Sequence, residues 1–185
     1  MAAGDGSSAG IELSKLTRTQ KSSFEVRIEL CGADRSQPVR RDIELVPRQL
    51  NINARLGQKV IFQVTASEDC YVYVIDIGTT GRTTILFPNR FSADNRLHAR
   101  WPLILPTSID SYEFVLSGIS GRELVQVVAL DCPVERLLTD SVPTSFEPVE
   151  LSRICRDITI ISQAEATGRV RLAWSQLAFD IKSQQ

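Results

Sequence analysis

Alternation of apolar and polar residues with a period of two is the feature that most restricts the fold of this chain. In the segment FEVRIEL, residues 24–30, four apolar side chains share one face and three charged side chains share the other. This pattern is typical of a half-buried β-strand, and we expect it to be an outer strand. Further strands, rich in β-branched and aromatic residues, are predicted at Ile43–Val46, Lys59–Thr65, Tyr71–Ile77, Thr83–Phe87, Tyr112–Leu116 and Glu123–Leu130.

Two glycine-containing links separate predicted strands. The segment GTTGR follows Ile77, and the segment SGISG follows Leu116. Each link has the composition of a hairpin loop, so we expect the strands on either side of each to be antiparallel neighbours. Together with the strand spacing, this predicts a mainly β fold, an antiparallel β-sandwich of the immunoglobulin-like or a related type.

The apolar pattern changes after Leu130. The segment DCPVERLLTD has apolar residues at helical spacing, and a second stripe runs at i, i+3, i+4 and i+7 from Leu151. We therefore expect one or two C-terminal α-helices, in a helical insertion near residues 133–161. In the closing strand the apolar phase shifts near Ser175, which predicts a bulge or a break. The predicted organisation is a flexible tail over residues 1–22 and a single domain over residues 23–185.

Charge and hydropathy exclude several classes of function. The chain has 21 basic and 22 acidic residues and a net charge of −1, so no overall field favours nucleic acid or anionic lipid. Its apolar runs are far shorter than the roughly 18 residues that span a bilayer. The first ten residues do not have the pattern of a signal peptide. We expect a partner other than nucleic acid and no membrane span, with an exported or a cytoplasmic location both open.

Chemistry-bearing residues are few and scattered. No glycine-rich phosphate loop is present, and the four cysteines form no CxxC pair, so neither a cofactor nor a thiolate metal site is predicted. His98 is the single histidine. A thiol enzyme that pairs Cys70 or another cysteine with His98 stays an alternative, and it requires an abnormally acidic thiol. Calcium would need oxygen ligands such as Asp76, Asp94, Asn89 and Asn95, but these lack the dense acid spacing of a calcium loop.

The segment LFPNRFSADN, residues 86–95, has two interpretations. Pro88 ends the strand, and Asn and Asp side chains after it can bond back to their own main chain, which favours a structural corner. Binding at the rim of this loop is the alternative, because loops on rigid scaffolds commonly carry binding residues. The candidate binding residues are Asn89, Arg90, Asp94, Asn95 and Trp101.

Aromatic residues concentrate in the middle of the chain. Alternate aromatics on a strand usually build a core, so we favour core or sheet-edge packing for Tyr71 and Tyr73. A carbohydrate-binding module is the alternative. It requires that Tyr71, Tyr73 or Trp101 be exposed as part of an aromatic platform.

The run from Val60 to Leu97, followed by YEFVLSGISGRELVQVVAL and CPV, resembles a bacterial family known as domain of unknown function 4384. The likeness covers roughly residues 54–134, with a weaker likeness in the closing helix and strand. Its hallmarks are a G-x-x-V strand start, a YVYV strand, a glycine turn, and LFPN with a second asparagine about six residues later. The matching positions are Gly57, Val60, Tyr71, Tyr73, Gly81, Leu86, Pro88, Asn89 and Asn95.

This resemblance implies a β-sandwich-like module, often found in bacterial envelope or exported proteins and attached to caspase-like peptidases or kinases. It implies no catalytic residues. For an exported chain, Cys31 with Cys155 and Cys70 with Cys132 are candidate disulfides, although four cysteines allow three connectivities. We expect a non-enzymatic interaction or scaffold module that binds a protein partner or an envelope component through its loops, in a periplasmic or extracellular location.

Overall fold

The alternating segments fold into β-strands in the computed structural model, which describes residues 22–32, 54–133 and 146–183. These ranges contain the strands β1 (Val26–Gly32), β2 (Ala54–Arg55), β3 (Lys59–Ala66), β4 (Cys70–Ile77), β5 (Thr83–Phe87), β6 (Arg96–Leu97), β7 (Leu103–Leu105), β8 (Phe114–Val115), β9 (Gly121–Leu130), β10 (Pro148–Val149) and β11 (Leu172–Lys182), and the helix α1 (Leu151–Ala166).

The strands form two sheets. In the small sheet, β3 pairs with β1 along one edge and with β7 and β8 along the other. The large sheet has the order β10-β5-β4-β9-β11-β2, and β6 pairs with the beginning of β4. Every strand pair is antiparallel except that of β11 with β2, which is parallel. The predicted mainly β fold is therefore confirmed, and its sheets are mixed through one short pair.

The large sheet is covered on both faces, because its strands carry apolar side chains on both. Along β4, Val72 and Val74 belong to the core that the large sheet shares with the small sheet. Ile75 and Ile77 point the other way and pack with Ile158 of α1 in a second core. Strands buried on both faces lose strict alternation. This explains the nearly continuous apolar run of β4.

Most predicted strands are confirmed to within two residues at each end. The predicted strand at Thr83–Phe87 coincides with β5, and the predicted outer strand corresponds to β1, which pairs only with β3 in the described part of the chain. The predicted strand at Tyr112–Leu116 forms ladder bonds only over the two residues of β8. The predicted strand Ile43–Val46, the tail over residues 1–21 and the helical spacing after Pro133 lie outside the described residues.

Only one of the two predicted hairpins is a hairpin. The GTTGR link joins the antiparallel strands β4 and β5, and the amide of Gly78 donates to the carbonyl oxygen of Arg82 at 2.9 Å. The SGISG link instead carries the chain from β8 in the small sheet to β9 in the large sheet. The hairpin prediction at SGISG is wrong, because turn residues specify a change of direction and not the sheet that the next strand joins.

The bulge predicted near Ser175 is absent from β11. The register of β11 with β9 is continuous from Leu172 to Ile181. The apolar phase shifts because the covered face changes: Leu172 packs in the helix-side core, whereas Phe179 and Ile181 pack between the sheets. A register irregularity occurs instead in the pairing of β4 with β5, between Val74 and Ile75.

The C-terminal stripe from Leu151 is confirmed as a helix. Ile154, Ile158 and Ile161 of α1 are each 1% exposed and pack on the large sheet. Cys155 is partly buried and contacts the same core, as its position in the stripe predicts. Among the described residues, no helix is long and apolar enough to cross a membrane.

Candidate binding site

A cavity of about 410 Å³ opens at one end of the core between the two sheets. Two loops form much of its wall: the hairpin that links β4 to β5, and the segment from the residue before β8 to the beginning of the crossover. The remaining wall comes from core-facing side chains of both sheets. The lining residues are Val60, Phe62, Asp76, Gly78, Thr79, Thr80, Arg82, Thr84, Leu86, Glu113, Phe114, Val115, Leu116, Ser117, Gly118, Glu123 and Phe146.

Two carboxyl groups from neighbouring strands meet at this cavity. Asp76 is in phase with Val74 on β4, and Glu123 is in phase with Val125 on β9, so both face the core between the sheets. The register places Asp76 opposite Val125, two residues beyond Glu123. The two carboxyl groups are hydrogen-bonded to each other. The sheet thus brings together two acids that are far apart in the sequence.

Burial favours the protonated form of this carboxyl pair. The pKa of Asp76 is well above its ordinary value, first because burial disfavours the charged form and second because the Glu123 charge lies beside it. Burial also raises the pKa of Glu123, and the hydrogen bond from Asp76 opposes part of that rise. These directions favour a proton retained within the pair and shared by the two carboxyl groups.

One oxygen of the pair has no partner. The Oδ1 atom of Asp76 is buried and accepts no hydrogen bond from the described residues, while the Asp76 side chain lines the cavity. Glu123 is 8% exposed. Buried acceptors in proteins are nearly always satisfied, because an unmade hydrogen bond costs about 1–3 kcal/mol. A donor that enters the cavity would satisfy Asp76 Oδ1.

The rim of the cavity combines hydroxyl groups, charges and exposed apolar side chains. Arg82 is the single basic residue of the lining in the described part of the chain, and Glu113 is bound to Lys59 with Nζ to Oε2 at 2.7 Å. Val115 lines the cavity and is 46% exposed, and Ile119 in the adjoining crossover is 60% exposed. The site therefore has a polar floor and a partly apolar mouth.

The loop after β5 is ordered by Asn89, which is fully buried. Its Nδ2 donates to the carbonyl oxygen of Leu86 at 2.8 Å and to the hydroxyl of Tyr112 at 3.2 Å. Its Oδ1 accepts from the backbone amides of Phe91 and Ser92 at 2.9 and 3.0 Å. The expectation that Asn89 bonds back to its own loop is confirmed.

An aromatic cluster connects this loop to the cavity. The rings of Phe91 and Tyr112 stack with centroids 5.0 Å apart, and Tyr112 lies 5.4 Å from Phe114 and 5.1 Å from Phe146. Phe114 and Phe146 both line the cavity. Arg90 extends over the outer ring of the cluster, with its guanidinium 4.5 Å from the centroid of Phe91.

The other candidate binding residues take separate positions. Asp94 accepts from the backbone amide of Arg96 at 3.0 Å, and Asn95 donates to the carbonyl oxygen of Val72 at 3.3 Å. Trp101 is 73% exposed. Neither Asp94, Asn95 nor Trp101 lines the cavity, and neither do Asn89 and Arg90.

His98 binds a carboxylate. Its Nδ1 lies 3.3 Å from Asp69 Oδ2, and Asp69 also accepts from the backbone amide of Ala99 at 2.8 Å. Cys70 is 1% exposed, and burial together with the charges of Asp69 and Glu68 raises its pKa to about 12. Burial also raises the pKa of Cys31 and Cys132. A thiol nucleophile requires the opposite shift.

None of the four cysteines forms a disulfide in the structure, so neither candidate bridge is present in it. Cys31 lies on β1 of the small sheet, whereas Cys155 lies on α1 across the large sheet. Cys70 and Cys132 lie at the same end of the β4–β9 pair, since Tyr71 is opposite Leu130. Among the described residues, no group of three or more His, Cys, Asp or Glu side chains is placed to hold a metal ion.

From the sequence, Asp76 is considered only as a possible calcium ligand and Glu123 is not considered, although each of the two acids has a local sequence signal. Asp76 occupies a core-facing position in the otherwise apolar strand YVYVIDI, and Glu123 occupies the same phase as Val125 and Val127. A charged residue in the apolar phase of a strand is a candidate for a functional position. Pairing the two acids requires the register of β4 with β9, which the sequence pattern leaves open.

Comparison with known proteins gives one match. A family model described as Domain of unknown function (DUF4384) matches residues 53–133. This range contains every residue that lines the cavity except Phe146. No curated protein and no solved structure matches the chain.

Proposed function

Since residues 53–133 belong to the DUF4384 family, a domain of unknown function, we propose a function from the geometry of the site. The protein is a non-enzymatic interaction module that binds an extended segment of a protein partner in the cavity between the two sheets. The loops on either side of the cavity form the contact surface. On the strength of the family resemblance alone, the proposed partner is a bacterial envelope or exported protein, met in the periplasm or outside the cell.

The observation that carries this proposal is the unsatisfied Asp76 Oδ1 on the wall of an open cavity. Binding sites are commonly concave, with mainly apolar walls and a few convergent polar groups. Here the polar groups come from β4 and β9 and the apolar walls from Phe62, Leu86 and Phe114. A ligand that donates a hydrogen bond to Asp76 Oδ1 makes an interaction that the described residues do not supply.

The mouth of the cavity favours a protein segment over a free small molecule. Val115 and Ile119 expose large apolar side chains beside it, and neighbouring exposed apolar residues often mark protein contacts. Thr79, Thr80 and Ser117 add hydroxyl groups that can bond a peptide backbone. An extended segment would therefore contact both the mouth and the floor.

The two alternatives have less support in the geometry. A thiol enzyme needs an acidic cysteine near a free base, whereas the pKa of the buried Cys70 is raised to about 12 and His98 lies against Asp69. A carbohydrate platform needs several exposed rings. Trp101 is exposed, but Tyr73 is 5% exposed and packs in the helix-side core.

Panning of a displayed random-peptide library against the full chain tests the proposal. Two variants of one loop are compared with wild type: Ser117→Trp, which places a large ring at the cavity wall, and Ser120→Trp, an exposed neighbour outside the lining. We expect selected peptides to bind wild type and Ser120→Trp equally and to lose affinity for Ser117→Trp at equal thermal stability. Peptides that bind all three proteins equally would show that the cavity is not the contact site.

A further inference from the structure

The floor of the cavity is acidic although the chain as a whole is nearly neutral. Among the described lining residues, Asp76, Glu113 and Glu123 are acidic and Arg82 alone is basic. Glu113 is already bound to Lys59 at the exposed rim. The acidic character at depth therefore comes from the Asp76–Glu123 pair. Glu123 is 8% exposed, Asp76 is partly buried, and Asp76 Oδ1 is itself buried with no hydrogen-bond partner among the described residues.

From this geometry we propose that the Asp76–Glu123 pair is a subsite for a basic side chain, a lysine or arginine, of the bound partner segment. The inference rests on the proposed function, because it assigns the chemistry of the segment that occupies the same cavity. The ammonium or guanidinium group donates hydrogen bonds to Asp76 Oδ1 and to the Glu123 carboxylate. It thereby satisfies an acceptor for which the described residues supply no donor.

The walls above the pair suit the stem of such a side chain. Phe62, Leu86 and Phe114 provide apolar surface along the cavity. Lysine and arginine bury their methylene stems on apolar surface while the charged group reaches a polar partner. A ligand of negative charge would meet the Glu123 carboxylate at the same depth, and an uncharged apolar side chain would leave Asp76 Oδ1 unsatisfied.

A positive charge that enters the cavity must be balanced by a negative charge. The carboxyl pair provides that negative charge when it loses its proton. The pKa of both Asp76 and Glu123 is raised, first by burial, which favours a proton shared within the pair when the cavity is empty. A bound cation favours the ionised form of both carboxyl groups, so the shared proton passes to solvent. Affinity for the cation should therefore rise with pH. The titratable or charged groups that face the cavity are Asp76 on β4, Glu123 on β9, Arg82 between β4 and β5, and Glu113 before β8.

The test is a nuclear magnetic resonance titration of the full chain with three blocked tripeptides. These are acetyl-Gly-Lys-Gly-amide, its norleucine counterpart, which has a similar stem without the charge, and its glutamate counterpart. Chemical shifts of the amides of Gly78, Thr79 and Gly118 report occupancy of the cavity. Each titration is repeated at two pH values within the folded range.

Two cavity variants and one matched control accompany the wild type. Asp76→Asn and Glu123→Gln remove one carboxyl group each and keep the side-chain shape. Asp180→Asn makes the same change at an exposed position of β11, outside the cavity lining. If Asp76→Asn fails to fold, Glu123→Gln and the peptide comparison on wild type still decide the question.

We expect the lysine peptide to shift the resonances of the cavity amides and to bind at least about tenfold more tightly than the norleucine peptide. A tenfold difference in affinity corresponds to the usual free energy of about one charge-assisted hydrogen bond. Asp76→Asn and Glu123→Gln should each remove most of this difference, and Asp180→Asn should retain it. The affinity of the lysine peptide for wild type should increase at the higher pH.

Two results would overturn the inference. Equal binding of the lysine and norleucine peptides at the cavity would show that charge is not recognised, and the proposed function would stand. No shift of the cavity amides by the lysine peptide at millimolar concentration would exclude a basic-residue subsite. The comparison of Ser117→Trp with Ser120→Trp then decides separately whether the cavity binds a partner at all.

Discussion

The side-chain amide of Asn89 donates to the hydroxyl of Tyr112 at 3.2 Å and so ties the loop after β5 to the segment that leads into β8. Tyr112 in turn packs on Phe114 and Phe146, which line the cavity. Asn89 itself lies outside the cavity lining and is fully buried. Its structural role is therefore to hold Tyr112, which packs against the two aromatic residues of the cavity wall.

Replacing Asn89 with alanine should destabilise the fold. The side chain makes four hydrogen bonds, and its loss would leave the amides of Phe91 and Ser92 and the carbonyl of Leu86 without these partners. We expect Asn89→Ala to lower the free energy of unfolding by about 3 kcal/mol, measured by urea denaturation. Asn95→Ala is the control, with an expected loss of about 1 kcal/mol, since Asn95 is only partly buried. Equal losses at the two positions would contradict the corner role of Asn89.

The stability of the fold should depend on pH through Asp76. Its pKa is raised in the folded state, so between the unfolded value near 4 and the folded value the folded chain binds more protons than the unfolded chain. The contribution of Asp76 to the free energy of unfolding therefore falls as pH rises through this window, by about 1.4 kcal/mol per pKa unit. We expect Asp76→Asn to flatten this decline and to be at least as stable as wild type at the upper end.

Urea denaturation at several pH values between about 5 and 8 measures this effect. Asp180→Asn is the control, because Asp180 is exposed on β11, and it should follow the wild-type pH dependence. If Asp76→Asn lost the same stability at every pH, the folded protein would not retain the proton on Asp76, and the account of the carboxyl pair would be wrong.

The positions of strands could be predicted from the sequence because the alternation of apolar and polar residues shows which side chains of a strand are buried. β5 was predicted with its observed ends, and β3 to within one residue. Prediction from this alternation fails where different parts of the protein cover the two faces of one strand. In β11 the helix covers Leu172 on one face, and the small sheet covers Phe179 on the other face. The apolar positions therefore change face along the strand, although the strand is unbroken.

The candidate site could not be predicted because it depends on pairings that have no local sequence signal. Asp76 and Glu123 meet only through the register of β4 with β9. Their cavity also requires the crossover after β8 to pass to the other sheet, where the glycines of SGISG predicted a hairpin. In contrast, the role of Asn89 was predictable, because an asparagine that follows proline at a strand end bonds mostly within its own loop.

The four thiols should differ in reactivity. None is disulfide-bonded in the structure, so alkylation of native, never-reduced protein after denaturation should add four groups by mass spectrometry. Without denaturation, Cys70 should react at least about tenfold more slowly than the partly exposed Cys132, because burial raises its pKa to about 12 and limits access. Peptide mapping of a timed alkylation measures this ratio. Fewer than four groups on the denatured, unreduced protein would reveal a disulfide.

The helix-side core should contribute strongly to stability, because the large sheet depends on α1 to cover its second face. Ile158 is 1% exposed and packs in the same core as Ile75 and Leu130. We expect Ile158→Ala to reduce the free energy of unfolding by about 3 kcal/mol, from lost apolar burial and the cavity left behind. Ile160→Ala is the matched control on the same helix, at a side chain that is 44% exposed, and should change stability by about 0.5 kcal/mol or less. Urea denaturation of both variants measures the difference. Similar small losses would show that α1 is not packed on the sheet in solution, and would also leave the large sheet with one uncovered apolar face.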